Sequence, residues 1–472
     1  MSISNAINAA TMGLQTTQTL SRVTAENVAN ASTEGYTRRR AITVSGFGSS
    51  SGPVIGEIRR EVDAALTRIS RSEMGKQARH QAVFEALNNY TVYLGQPGDG
   101  LSPAEKFSDF NTSLTTLVNM PASTEAQLGT VLAADDLARS IRGASQTLSA
   151  VRNDVDMEIR YEVSELNQAL YDLAQLNGRI LETGRGTPEA AQLGDQLDGL
   201  LDKVAGIIDV RVYFNNDGSF NLFTSGGAAL VERTQMSDIT FDPSDGTLRA
   251  GDLDITTNKP GVRGVTEGSL AGLLELKRDI IPRFQLQLDE YARGLITSFE
   301  ASDASLAPGQ AGLFTDGGSA FDPANLDFLA SRIQVNDVLQ QASGGEFWRI
   351  RDGLGAVSEG DPSDNRQIQQ FIDGLQQQLS PSAGTGLSST VTIAEFASEM
   401  VTAQGSERAR SQEQALAARS TAEIVIASRE AFEGVNIDEE LQDLQMIQQS
   451  YAANSRVLTT VLGLIDTLLN AF

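Results

Sequence analysis

The chain has 472 residues, 40% apolar, 21% charged and 6% aromatic, a globular composition long enough for about three domains yet thin in the aromatics of a dense enzyme core. Sixty-one acidic residues against 36 Lys plus Arg give a net charge of −25, which opposes binding to nucleic acid or to an anionic membrane. The absence of Cys and a single His, His80, exclude disulfides, thiol nucleophiles, Cys-ligated metals and most imidazole chemistry.

Met1 to Ile7 carry no basic and no apolar run, so no cleavable secretory signal is expected there. Val457 to Phe472 is too short to span a bilayer and contains Asp466. Charge is uneven: residues 1–80 hold ten basic and six acidic side chains, the remainder 26 and 55. Such a basic N-terminal part can meet an acidic surface on its own or a neighbouring chain.

Residues 3–29 read as a helix with Ile3, Ile7, Ala10, Leu14, Thr17, Thr24 and Val28 on one face. The stripe is thin, so this helix needs a partner to stay folded in water. Asn30 to Gly35 break it, and Tyr36 to Val44 are extended, with Thr37, Ile42, Thr43 and Val44 β-branched. Gly46 to Pro53 is a Gly/Ser loop, and helical pattern returns from about Glu61 to Tyr93, stopped by Gln96-Pro97-Gly98-Asp99-Gly100. From Leu137 to Ile180, apolar residues recur every 3.6 positions, which predicts a long rod-like helix.

After a break at Gly184 to Pro188 and a short helix, the period becomes two: Val210, Val212 and Phe214, then Phe220 and Leu222 across Asn215-Asn216-Asp217-Gly218. That is a hairpin signal, and with the turn residues Asp242 to Gly246 it predicts a small β domain over about 208–262. Residues 266–304 return to helix, 305–365 are Gly-rich and irregular, 367–379 form a short helix and 380–389 a linker. A second long helix spans Thr392 to Glu433 and stops at Gly434. Asn436 then caps a last helix, with Glu439 in capping-box position and Asp438 and Glu440 set against the helix dipole. Its stripe is Ile437, Leu441, Leu444, Ile447, Tyr451, Asn454, Leu458, Val461, Ile465, Leu468 and Phe472, a 3.5-residue coiled-coil period with Asn454 its one polar member.

The expected fold is mainly α with a small β domain: long helical rods from both termini, with coiled-coil-like terminal helices, and an inserted β-rich outer domain. By position this divides the chain into an N-terminal assembly helix (1–33) pairing with 437–472, an extended segment plus long-helix rod (34–205), the β-rich outer domain (206–265), a second part of the rod with its irregular insertion (266–436), and the C-terminal heptad helix (437–472).

Chemical motifs are weak. Gly48-Ser49-Ser50-Ser51-Gly52 matches a nucleophile elbow only formally, since the required strand, helix and His are not around it. His80 reads as an exposed helix residue. Gly184-Arg185-Gly186 lacks the third Gly and the preceding strand of a dinucleotide loop and reads as a helix-ending linker. Asp438-Glu439-Glu440 point in different directions on a helix, so capping explains them better than a metal site. Arg38-Arg39-Arg40 alternate faces and suit a surface or subunit contact. No catalytic, metal or cofactor site is expected.

What remains is two helical ends able to pack on each other or on neighbouring chains. Here the residues carry a resemblance. Leu20 and Asn27-Val28-Ala29-Asn30-Ala31-Ser32-Thr33-Glu34-Gly35-Tyr36-Thr37-Arg38 resemble the N-terminal motif of bacterial flagellar rod, hook and hook-associated proteins. Gly434 to Leu441 and Gln448 to Asn454 resemble the matching C-terminal motif. Gln192-Leu193-Gly194-Asp195-Gln196-Leu197-Asp198-Gly199-Leu200-Leu201-Asp202-Lys203, Gly268 to Leu274 and Ser363 to Arg366 are similar to the hook-associated family of the first hook–filament junction.

The resemblance implies a non-enzymatic structural subunit, exported uncleaved by the flagellar type III apparatus and polymerising through its terminal helices outside the cell. Implied partners are hook protein, the second junction protein, further copies of itself, and an export chaperone at the C-terminal region, with no nucleic acid and no membrane. The assembly residues expected are Ile3, Ile7, Leu14, Asn27, Asn30, Gly35, Tyr36, Arg38, Ile437, Leu441, Leu444, Ile447, Tyr451, Asn454, Leu458, Val461, Ile465 and Leu468. A hook or rod subunit, or a secreted type III effector or adhesin, are the alternatives.

Overall fold

A computed structural model describes residues 3–46, 52–94, 100–340 and 344–470. The Gly48–Gly52 motif therefore falls almost wholly outside the described residues, as do most of the Gln96–Gly100 break and Phe472. Two compact units are present: 1–79, 161–271 and 416–472 form the first, 80–160 and 272–415 the second.

In the first unit, α1 (Ile3–Ala29) packs against α11 (Ile437–Leu469), so the two ends of the chain meet. After α1, β1 (Arg39–Ser45) and β2 (Pro53–Arg60) form an antiparallel hairpin with a bulge between Ile42 and Thr43. The extended character of 36–44 predicts β1; nothing in the sequence pattern announces β2. Helix α2 (Ala64–Leu94) follows.

Helix α4 (Thr124–Glu182) is longer than the Leu137–Ile180 pattern predicts, because Leu128, Val131 and Ala134 continue the period towards the N-terminus. It ends at Gly184 to Gly186, where Gly186 accepts a hydrogen bond from the Ile58 N–H of β2, and α5 (Pro188–Ile207) begins with Thr187 as its cap.

The β segment lies where the period-two pattern places it, as two sheets. One has the order β3 (Val210–Phe214), β4 (Phe220–Thr224), β5 (Ala229–Glu232), β6 (Gln235–Met236); the other joins β7 (Ile239–Asp242), β8 (Thr247–Ala250) and β9 (Leu253–Asp254). The Asp217-Gly218 turn has Gly218 at φ +94°, the conformation that a hairpin asks of glycine. Two asparagines of α4 dock these sheets by imitating backbone. Asn167 exchanges two 2.8 Å hydrogen bonds with Ile239, and the fully buried Asn177 does the same with Phe220 at 2.7 and 3.0 Å. Gly268, at φ +97°, donates to the Gly75 carbonyl, and a Cβ there would lie 2.4 Å from the Ile207 carbonyl oxygen, so this close approach of the bend at Gly268 to α2 and the end of α5 tolerates only glycine.

The second unit collects most of the scarce aromatics. Helix α3 (Pro103–Asn119), unforeseen above, starts with a complete Ser102/Glu105 capping box and brings Phe107 and Phe110 inward. The helical run over 266–304 is α6 (Ser269–Glu275) and α7 (Ile281–Ser302), joined by a π turn at Leu276–Ile280 ahead of Pro282, which has no N–H to give to a regular helix. Phe110, Phe299, Phe314 and Phe371 form a cluster with ring centroids 5.1–5.7 Å apart. The Gly-rich 305–365 region holds a two-stranded ribbon, β10 (Phe314–Asp316) with β11 (Ile333–Val335), and a short α8 (Arg349–Asp352). Then come α9 (Arg366–Leu375) and α10 (Ile393–Glu433); α2, α4 and α10 each contribute to both units.

Candidate assembly interface

The seam between α1 and α11 is built from small residues on one side. Ala10, Gly13, Thr16, Thr17, Val23, Thr24 and Asn27 are buried on α1, while Ile7, Leu14 and Val28 are only half-buried. The buried face is therefore wider than the stripe through Ile7 and Leu14: Ala10, Thr17 and Thr24 belong to that stripe, and β1 and β2 also pack on α1, with the Thr16 hydroxyl donating to the Pro53 carbonyl. At Gly13 the approach is tightest: a Cβ there would lie 2.7 Å from Asn454 Nδ2. The polar member of the α11 stripe thus fills the notch that glycine leaves.

On α11, Leu444, Ile447, Asn454, Leu458, Val461 and Ile465 are half-buried, whereas Ile437, Leu441 and Tyr451 are 43–46% exposed. Ile3 and Leu468 lie on α1 and α11 respectively. A second set outside the predicted stripe, Met446, Val457, Leu462, Leu464 and Leu469, is 49–71% exposed.

The residues of the N-terminal motif form a polar lock. Asn27, 1% exposed, donates from Nδ2 to the Arg39 carbonyl (2.9 Å) and to Glu440 Oε2 (3.1 Å); its Oδ1 accepts from the Tyr36 hydroxyl (2.9 Å) and the Arg39 N–H (3.0 Å). Burial pushes the Tyr36 hydroxyl up to about 12, so it stays a donor. Asn30 closes the turn after α1 by donating to the Glu26 carbonyl, and Gly35 completes it at φ +75°.

Arg38 donates through Nε to Glu440 Oε1 at 2.7 Å and through NH1 towards Glu439 and Glu61, and its backbone N–H reaches the Glu433 carbonyl. This corrects two readings. Glu440 is 2% exposed and holds Arg38, and Glu439 also turns to Arg38, so capping is not their main work; Asn436 does accept from the Asp438 N–H at 3.1 Å. Arg38 and Arg39 face carboxylates of their own chain, and only Arg40, with a 75% exposed side chain, stands outward.

The charges continue as a ladder. Arg39 reaches Asp195 at 3.0 Å, and Arg60 reaches Asp198; Arg60 Nε and Asp195 Oδ1 approach to 2.8 Å without hydrogen-bond alignment. Arg71 bridges Asp198 (2.7 Å) and Asp202 (2.6 Å), Arg429 bridges Asp202 (2.8 Å) and Glu433 (2.9 Å), and Thr67 donates to Glu433. Burial works to raise the Asp198 carboxyl, but the Arg60 and Arg71 guanidiniums beside it prevail and hold it below the usual carboxylate range. The basic N-terminal part thus meets an acidic face of its own chain. Sequence reading passed over Asp195, Asp198 and Asp202 as site residues, although their i, i+3, i+7 spacing places all three on one face of α5.

A groove of about 260 Å³ opens between α1, β1 and α11, lined by Thr17, Leu20, Arg38, Arg40, Met446 and Ile447 among others. Among the described residues no helix is long and apolar enough to cross a membrane. Terminal helices packed on each other, with apolar side chains left open on α11, define a class: structural proteins that keep helical surface free for neighbours.

Comparison with known proteins narrows it. The family described as the flagellar hook-associated protein FlgK helical domain matches residues 87–308, and the flagellar basal body rod FlgEFG protein C-terminal family matches 432–471. Flagellar hook-associated protein 1 of Escherichia coli is 23% identical, covering 99% of this chain and all of that protein; the Salmonella typhimurium protein of the same name is 22% identical over the same shares. That of Bacillus subtilis is 21% identical over 97% of this chain and 98% of its own. The solved structure of the flagellar hook junction protein FlgK from Burkholderia pseudomallei aligns with TM-score 0.45 and 24% identity over 53% of this chain and 47% of that one. Over nearly its whole length the chain is thus similar to flagellar hook-associated proteins of the FlgK type, structural components of the flagellum at the hook–filament junction.

Proposed function

We propose that this chain is exported by the flagellar type III apparatus and polymerises through the α1–α11 pair to form the junction between hook and filament, without enzymatic activity. Its neighbours are then hook protein, further copies of itself and the second junction protein, and a chaperone covers the C-terminal helix before assembly. The 1–33 and 437–472 segments serve as the assembly pair, 34–205 and 266–436 as the helical body, and 206–265 as the outer β-rich part.

One observation carries this reading: α11 satisfies one stripe against α1 yet leaves Met446, Val457, Leu462 and Leu464 about half exposed on its other faces. Burying each such side chain is worth roughly 1.5–3 kcal/mol, which gives α11 apolar side chains to offer on more than one side. In a helical assembly each subunit offers different faces to successive neighbours, which suits a helix with more than one apolar side. Asn27, Asn30, Gly35, Tyr36 and Arg38 act in assembly by fixing the pair's exit from the body.

Val457→Glu with Leu464→Glu tests it, because both side chains are exposed and the free chain keeps its circular dichroism and melting temperature. Cells carrying the variant should make hooks without attached filaments; normal filaments would overturn the reading. Leu458→Arg, on the half-buried stripe, should likewise leave the middle of the chain folded while preventing junction assembly.

A further inference from the structure

A second groove, of about 1070 Å³, lies in the first unit and plays no part in the terminal pair. One wall is α2 with Arg68, Ser72 and Lys76, another is α5 with Leu193 and Leu197, and the third is the consecutive run Asp209 to Phe214, which is strand β3. A strand that lines a groove with every residue presents its edge there. β3 is an edge strand, paired on one side only, with β4.

The pairing phase tells which groups are open. Asn215 N–H donates to the Ser219 carbonyl at 2.8 Å, so by the alternation of an antiparallel ladder Tyr213 and Arg211 bond to β4 while Val210, Val212 and Phe214 turn their N–H and C=O outward. Among the described residues those outward groups have no hydrogen-bond partner. Tyr213 and Phe214 are 55% and 64% exposed beside them. An unprotected edge of this kind is a template for an added strand.

The groove also departs from the charge of the molecule. In a chain of net charge −25, six cationic side chains line it against four anionic ones. Arg68 and Arg211 have no carboxylate partner among the described residues. The complement is an extended acidic segment, and this chain carries one. Val357 to Ser363 is exposed, without regular secondary structure, and contains Glu359 and Asp361; Val357 is 96% exposed. The N–H groups of Val357, Ser358 and Glu359 make no hydrogen bond among the described residues.

We propose that the Val357–Asp361 segment of a second copy adds to β3 as an antiparallel strand, its backbone on the open edge, Val357 against Phe214, and its carboxylates towards Arg68 and Arg211. This rests on the self-association proposed above and names a contact for it away from the terminal helices.

The test uses the whole chain and a labelled peptide of residues 353–364, so it reads the groove whether or not the terminal helices assemble. Saturable binding is expected. Of two peptides N-methylated at alternate positions, Val357 with Glu359 or Ser358 with Gly360, one should lose at least tenfold in affinity and the other should not, because only one edge of an added strand bonds β3. Arg68→Glu with Arg211→Glu should cost about tenfold as well. Since the chain has no native Cys, a mixture of Phe214→Cys and Val357→Cys chains under mild oxidation should give the mixed disulfide dimer in excess of either like pair. Absence of binding, equal behaviour of the two methylated peptides, undiminished binding to the charge-reversed chain, or no excess of mixed dimer would each overturn the proposal.

Discussion

Asn27 shows how much one side chain can decide. Each of its polar atoms makes two hydrogen bonds, to a carbonyl, an N–H, a phenol and a buried carboxylate. Asn27→Ala strands Glu440 and the Arg39 N–H, and should cost about 3 kcal/mol, read as faster amide exchange across α1 and the start of α11. Gly13 and Asn454 form a pair that can be separated by a double-mutant cycle. Gly13→Ala forces the Asn454 amide to move and should cost about 1 kcal/mol; with Asn454→Ala the same substitution should cost almost nothing.

Asp289 in the second unit gives a pH dependence of known sign. Its side chain accepts from the Ala330 and Phe328 N–H groups and from Gln285, but burial prevails and pushes the carboxyl up to about 6. Between about pH 4 and 6 the folded chain keeps a proton that the unfolded chain has released. The contribution is complete below the unfolded value and is lost as pH rises through the folded one, on the order of 3 kcal/mol in all. Relative to Asp289→Asn, the wild-type chain should therefore gain stability when urea unfolding is moved from about pH 7.5 to 4.5. A constant difference between the two would contradict this account.

At the scale of elements, periodicity was informative wherever an element is amphipathic over several turns. The bounds expected for the first, long middle and last two helices lie within a few residues of those observed, except at the start of α4. Helix α3 opens on a full start signal, Ser102-Pro103-Ala104-Glu105, but with fewer than five turns its apolar stripe is too short to stand out beside those of the long helices. Ser102→Ala should lower the melting temperature by the equivalent of about 1 kcal/mol. Strand β2 is illegible for a different reason: it contains Gly56, and its mostly exposed residues follow no regular alternation, so only β1 beside it makes it a strand. The α5 stripe Asp195, Asp198, Asp202 was visible as a spacing, but its cationic partners come from β1, β2, α2 and α10, far apart in sequence.

For the whole molecule, the two-unit organisation predicts a division of stability. Deleting 437–472 removes the partner of α1 and the Arg38 acceptors, and should loosen α1 and β1 while the aromatic cluster of the second unit melts unchanged. A cooperative loss of both units would refute that division. Sequence alone determined that the ends are helical, that each carries an apolar stripe, that a β segment interrupts the helices and that ordinary enzyme chemistry has few residues to use. These follow from local periodicity, turn residues and composition, which need no knowledge of distant neighbours. Tertiary structure decided which face of α1 is buried, that Arg38 and Arg39 turn inward, that Glu440 is a buried acceptor rather than a cap, and that β3 keeps an open edge. Each depends on which atoms from remote parts of the chain arrive within a few ångströms, and pairing over that distance leaves no period in the sequence to be read.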